Sequence, residues 1–309
     1  MTRWASMIIG IALLSAAGLA QHENDLLFGV QDGALAVIQP QPHPVRQMST
    51  VPGAYLLDVG VDFFYENGIP HLQACRIVQR WITPGLIGSR SSMGQIFCAS
   101  GCRNYFDLPT NGTPHHHFIF SAASSGVYVW DIGAVQGIAS NGSPVANMMQ
   151  VYRIYMVAGN PSRLYGNVEP APGYTGHLYD LTLTVQVRQP NQAWISQSLP
   201  PNSDAIYPYM VGFDRAGNAT LVAKLSKHLS RRLDNFTLGG AQRVNWQFPY
   251  AGDINGDDII DDADLLSVLF NFGQTGSNLP DDVNGDGTVD DADLLTVLFN
   301  FGLVGEGSQ

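Results

Sequence analysis

What the chain has little of narrows its options before any motif is read. Its 309 residues include only three cysteines, Cys75, Cys98 and Cys102, so a scaffold stapled by several disulfides is excluded and at most one bridge closes within the chain. Cys98 and Cys102 could close a small loop, either could reach Cys75, or the thiols could stay buried. A CxxxC pair with no second pair is a poor zinc site. Charged residues make up 13% of the chain and the net charge is −11, which with no basic face argues against nucleic acid as a partner. Past residue 20 no apolar run approaches the ~20 residues of a membrane-spanning helix. No serine or cysteine sits in a nucleophile elbow or triad signature. The sharpest absence is local: residues 251–309 contain 13 Asp and Glu but no Lys or Arg. The acidity of the whole protein therefore belongs to its last segment.

That segment is a duplication. GDINGDDIIDDADLLSVLFNFG at 252–273 recurs, 29 residues later, as DDVNGDGTVDDADLLTVLFNFG at 281–302. Counted from Asp253, oxygen-bearing side chains fall at positions 1, 3, 5, 9 and 12: Asp253, Asn255, Asp257, Asp261 and Asp264. The second copy repeats them as Asp282, Asn284, Asp286, Asp290 and Asp293, and position 7 offers the backbone carbonyl of Ile259 or Thr288. Alternating hard oxygen donors in a tight loop, with a twelfth ligand returning from a helix, is the spacing of an EF-hand calcium loop. Two Ca²⁺ ions are expected. Aspartate at position 12 is one methylene shorter than the usual glutamate, so a bidentate grip requires the helix to sit closer to the ion. Copy one carries Asp258 at position 6, where copy two has Gly287. A positive φ is expected there, at some strain for aspartate.

Each loop runs into an apolar stretch, with Leu265, Val268, Leu269 and Phe272 in one copy and Leu294, Val297, Leu298 and Phe301 in the other expected on one helix face. Gly273 and Gly302 are expected as C′ residues. A single loop and helix, present twice and lacking an entering helix, resembles the bacterial type I dockerin module over about the last 55 residues. The resemblance implies that helix-start positions 10 and 11, Asp262 and Ala263 in one copy and Asp291 and Ala292 in the other, face a cohesin-like module or a cell-surface component. Because the pairs are identical, it implies two binding orientations related by a half-turn. The Asp-Ala pair departs from the Ser-Thr of the best-known members.

At the other end, Arg3 and the apolar run MIIGIALLSAAGLA precede small residues Gly18 and Ala20 at the −3 and −1 places of a cleavage site. Residues 1–20 read as a secretory signal peptide, so a secreted, extracellular or cell-surface protein is expected, with no transmembrane segment in the mature chain. Between signal and tail, runs such as AYLLDVGVDFFYENG, QVYRIYMVAG and YDLTLTVQVRQP alternate apolar and polar residues between Gly, Pro and Asn-Gly turns. The expected fold is mainly β: β-sandwiches at 21–160 and 161–249, parted at Gly159-Asn160-Pro161, then a small α-helical dockerin-like domain at 250–309 with two EF-hand-type calcium loops. The turn Asp214–Asn218 and the basic segment from Lys224 to Arg232 resemble carboxypeptidase-regulatory or transthyretin-like sandwiches. For the basic segment a strand with a solvated face is expected.

In the first unit, TPHHHFIF at 113–120 places His115 and His117 on the same side of a period-two strand, within reach of one transition metal. With Ser124-Ser125-Gly126-Val127-Tyr128 the run resembles the surface-anchored β-domains called choice-of-anchor M or actinobacterial surface-anchored, and His22 with Asp25 resembles that family's opening strand. The histidines could equally mark a strand end, a hydrogen-bonded core pair or a general base. Acids for glycosidic cleavage, Asp58, Asp62, Glu66, Asp107, Asp131 and Glu169, belong to no local motif that pairs them. A non-catalytic protein is expected. The alternative is a component of a polysaccharide-degrading complex, in which the sandwiches bind or cleave glycans and Trp130, Trp194 and Trp246 supply stacking faces. Sequons at Asn111, Asn141, Asn218 and Asn235 read as turn chemistry.

Overall fold

The structure is a computed structural model that describes residues 25–39, 44–109 and 112–308. The expected signal segment 1–20, His22 and Asn111 lie outside the described residues. The chain is mainly β, with two short helices near its end. Among the described residues, one sheet runs Gly94–Phe97, Ile87–Arg90, His116–Ala122, Ala54–Phe63, Leu26–Gln31, Ala34–Gln39, with Ser49–Val51 also on Ala54–Phe63. A second runs Tyr105–Leu108, Leu72–Ile82, Gly126–Ala139, Tyr152–Ala158, Val45–Gln47, with Pro144–Val145 on Gly126–Ala139. Alternating side chains of the two sheets bury one core, including Phe28, Val61, Phe118 and Phe120 from the first and Ile77, Trp130, Ile132 and Ile154 from the second. This is the sheet-on-sheet arrangement that period-two strands require. Cys98 and Cys102 form a disulfide. Cys75 stays a buried thiol, its pKa pushed up by burial to about 12.

The strands Gly126–Ala139 and Tyr152–Ala158 are buried on both faces over most of their length, and this joins the next unit to the first. A second core, built on Leu183, Val185, Val211, Leu221 and Phe248, is completed by Val127, Val129, Tyr155 and Val157 from the reverse side of the first sandwich. Its strands form a three-stranded sheet, Tyr209–Phe213, Ser162–Gly166, Ala241–Arg243, and a four-stranded one, Ile195–Leu199, Leu183–Arg188, Gly217–Leu225, Arg231–Leu238. At the same junction Asp131 and Arg153, cross-strand neighbours, form a fully buried ion pair. Arg153 Nε and Nη2 donate to the two Asp131 oxygens at 2.7 and 2.6 Å. Loops of the second unit complete the network: Nη2 also donates to Pro200 O, and Tyr179 Oη donates to Asp131 Oδ2. Full satisfaction is what makes such a buried pair tolerable.

One feature of the glycan alternative and one expectation fail here. Trp130 and Trp246 are core residues, 0% and 3% exposed, so neither offers a stacking face; Trp194 is partly exposed, and the Arg188 guanidinium lies 4.6 Å from its ring centre. The basic segment is not a solvated face either. His228 is buried, its Nδ1 facing Ser226 O at 2.8 Å while Nε2 accepts from the Ala171 N–H, and both lysines reach into the acidic tail. The tail begins as a strand, Ala251–Asp253, paired antiparallel with Lys227–His228.

Helix α1 spans Asp262–Phe270 and α2 spans Asp291–Phe299. They pack with Ile260, Val283 and Val289 around Val268 and Val297, against Leu229 and Ala171. The expected apolar face is corrected. Val268 and Val297 are fully buried and Leu265 and Leu294 partly so, but Leu269, Leu298, Phe272 and Phe301 are 46–50% exposed. Phe272 and Phe301 lie beyond the helices, whose C-caps are Asn271 and Asn300. Gly273 and Gly302, at φ 82° and 81°, are therefore two residues past the caps. Nine-residue helices present a stripe too narrow for four core contacts each.

Candidate functional site: a duplicated oxygen-rich loop

The two loops have the same internal wiring. Position 1 accepts from the main-chain N–H groups of positions 4 and 6: Asp253 from Gly256 at 2.8 Å and Asp258 at 3.0 Å, Asp282 from Gly285 at 2.7 Å and Gly287 at 2.9 Å. Positions 3 and 5 each accept from the N–H two residues on, at 2.9 Å in all four cases. Position 9 is the helix N-cap: Asp261 accepts from Ala263 N and Asp290 from Ala292 N. Position 12 closes a capping box and returns to the loop's start, Asp264 to Ile254 N and Asn255 N, Asp293 to Val283 N and Asn284 N. Loop and helix are thus one unit.

The copies also brace each other. Ile260 N donates to Leu303 O and Val289 N to Gln274 O, each 29 residues from its counterpart. Ile259 bridges Val304 and Thr288 bridges Thr275 in the same relation. Each position 7 is thereby tied to the chain just past the other helix, as a half-turn of the module would require. Asp262, Ala263, Asp291 and Ala292 are exposed on the first turns of the helices. Toward their C-terminal ends the helices expose Phe270 and Phe299, both 82%, and along their length Leu266, Leu269, Leu295 and Leu298 at 45–49%. Leu269 and Leu298, expected on one face with the buried valines, are instead half exposed, and Phe270 and Phe299 fell outside the expected face; their position, two residues after Val268 and Val297, was the available signal.

At position 6 the structure turns an expected strain into a contact. Asp258 does have φ of 74°, close to the 90° of Gly287. Its carboxylate accepts from Ser230 N at 2.8 Å, from Ser230 Oγ at 2.5 Å and from Lys224 Nζ at 3.0 Å. Lys224 also pairs with Asp253. In the second loop Lys227 Nζ donates to the main-chain oxygens of Leu279 and Asp282, and Thr175 N donates to Asn284 O. Arg231 pairs with Glu306 at 3.1 Å. The second sandwich therefore holds both loops from behind.

Among the described residues no three His, Cys, Asp or Glu side chains converge as a metal cluster; the loop carboxylates lie on backbone N–H groups. Carboxylate oxygens that already accept one such bond retain a lone pair for a cation. The donor set fits calcium: oxygen alone, from carboxylate, amide and main-chain carbonyl. Charge balance points the same way. Asp253, Asp264 and Asp293 are 0% exposed and Asp282 is 4%. Burial raises the pKa of Asp253, with Lys224 opposing, and raises that of Asp293. Buried carboxylates cost several kcal/mol each unless compensated, and in the second loop Lys227 meets main-chain oxygens rather than a carboxylate.

The other candidates lie apart from this module. Asp131 is consumed by Arg153, Asp107 pairs with Arg76 and Arg103, Glu66 lies 3.3 Å from His71, and Glu169 accepts from Gln247. Asp58 and Asp62 meet His117 and His115 in the first sandwich.

The fold and site together define a mainly β chain closed by a duplicated loop–helix module. No protein-family model matches the chain, and no curated protein matches it. Solved structures overlap it loosely. Two type II cohesin–X-dockerin complexes from Acetivibrio cellulolyticus, N-terminal and C-terminal interface mutants, show 20% and 19% identity with TM-scores of 0.36 and 0.35, covering 47% of this chain and 99% of theirs. The Bacillus anthracis TIE protein shows 8% identity and a TM-score of 0.22 over 68% of this chain and 39% of its own. Overlaps at this level carry no function across.

Proposed function

We propose that residues 250–309 form a calcium-loaded, dockerin-like docking module that attaches a secreted, non-catalytic pair of β-sandwiches to a protein partner outside the cell. The observation that carries this is the double repetition of one loop–helix unit, with identical wiring and an exposed phenylalanine in each copy. Ca²⁺ would be held by Asp253, Asn255, Asp257, Ile259 O and Asp264 in one loop and by Asp282, Asn284, Asp286, Thr288 O and Asp293 in the other, with Asp261 and Asp290 at position 9. The ion supplies positive charge to buried carboxylates, so that binding and ordering of the loop are one event. Apolar surface on each copy, rimmed by Asp262 and Asp291, fits a cohesin-like partner with an apolar face.

Calorimetric titration of the chelated full chain with Ca²⁺, followed in parallel by circular dichroism, tests the reading. Two binding events with a gain of helix are expected. Silence up to ~10 mM, past the weak end for extracellular sites, would remove calcium and with it the docking module.

A further inference from the structure

His115 and His117 are held in a definite way. His115 Nδ1 lies 3.2 Å from Asp62 Oδ2, and His117 Nδ1 lies 2.8 Å from Asp58 Oδ1. A ring nitrogen facing a carboxylate carries the hydrogen, so both rings are Nδ1–H donors and both Nε2 atoms present lone pairs. Those Nε2 atoms face each other at 2.9 Å. At that distance the two nitrogens need a proton or a metal ion between them.

The fold places the acids behind the rings. Asp58 and Asp62 point to the same side of Ala54–Phe63, the strand paired with His116–Ala122 so that Gly60 lies opposite His117. Gly60 leaves room at this point: a Cβ there would fall 2.0 Å from Asp25 Oδ1. Asp25 is 4% exposed, and its Oδ2, with no hydrogen-bond partner among the described residues, lies 3.7 Å from His115 Nδ1. Three carboxylates thus back two imidazoles, the arrangement that orients metal-binding histidines. The intervening His116 takes no part; it is buried, with Arg90 Nη2 2.9 Å from its Nδ1 and its ring against Phe106.

We infer that His115 and His117 bind one divalent transition ion of the Zn²⁺ or Cu²⁺ class, with Asp62 and Asp58 as positioning residues. Imidazole nitrogens favour these ions over Ca²⁺, so the site is chemically separate from the loops. The rings separate by about half an ångström to receive the ion, because tetrahedral Zn–N bonds of ~2.0–2.1 Å put the two nitrogens roughly 3.4 Å apart. The side chains are 19% and 36% exposed, which lets water complete the coordination.

The test is Cu²⁺ titration of the full chain with the loops saturated by about 5 mM Ca²⁺, read by electron paramagnetic resonance. One ion with two coordinated nitrogens is expected. His117→Ala should remove one nitrogen and weaken binding at least ~10-fold, and Asp58→Ala should weaken it ~10-fold while keeping both nitrogens. Asp58 is 54% exposed, so its variant folds even where a histidine variant does not. Unchanged affinity in both variants, a spectrum without imidazole nitrogen, or a shared proton between the rings with no ion taken up would each overturn the site.

Discussion

At position 6 of the first loop a single carboxyl group does what its sequence context disguises. Read against its repeat, Asp258 is a glycine position filled at a cost; in the structure its oxygens hold Ser230 and Lys224. Four residues from Lys224, His228 shows a second local effect. Burial holds its pKa down to about 4, below the ~6.5 of an exposed imidazole. The folded state therefore favours the neutral ring. Its contribution is complete above about pH 6.5 and is lost as pH falls toward 4, by about 3 kcal/mol in all. His116, also held to about 4 by burial, acts with the same sign. Urea unfolding of the wild type between about pH 7 and 4 should show falling stability, and His228→Gln should show a shallower fall. Equal slopes would remove His228 from the account.

For the helices, placement was readable and orientation was not. The Asp-Ala-Asp-Leu-Leu starts, each preceded by an aspartate N-cap with Asp264 or Asp293 at N3, form capping boxes in both copies, and that signal is written in adjacent residues. Which apolar residues face inward depends on what the helix packs against. The short helices meet each other, and α2 also meets the strand Ala251–Asp253, so one valine per helix is fully buried and a phenylalanine is left outside. Val268→Ala should cost the module about 2 kcal/mol through the cavity it leaves. Phe270→Ser should change stability by no more than ~0.5 kcal/mol, since little of the ring is buried. Thermal melts in calcium, followed by helix ellipticity, measure both. A large loss for Phe270→Ser would put that ring in the core and withdraw it from any docking surface.

Across the whole molecule, three cores are joined by two kinds of seam. The sandwiches share apolar side chains and the buried Asp131–Arg153 network, whereas the acidic module is joined mostly by ions and main-chain bonds through Lys224, Lys227, Ser230 and Arg231, with Leu229 and Ala171 as its apolar contacts. The second seam is the weaker, being partly exposed and polar. Lys224→Ala combined with Asp258→Gly should therefore let the module melt separately: calorimetry should show a second transition where the wild type shows the module and second sandwich unfolding together. One unchanged transition in the variant would show that the remaining contacts suffice to couple them.

The sequence by itself determined the mainly β texture, the two loop–helix copies, the spacing of their oxygen-bearing side chains and the placement of His115 and His117 on one side of a strand, because each follows from spacing along the strand or loop. Only the tertiary structure decided the rest. Val127 and Tyr155 look outward from one sandwich until a second core is built on them. Lys224 and Lys227 look solvated until their strand meets the acidic tail. Asp58 and Asp62 lie more than fifty residues from the histidines they hold, and pairing of Ala54–Phe63 with His116–Ala122 brings them together. Spacing carries local chemistry, while contacts between distant segments depend on which faces remain to be buried once each element has formed.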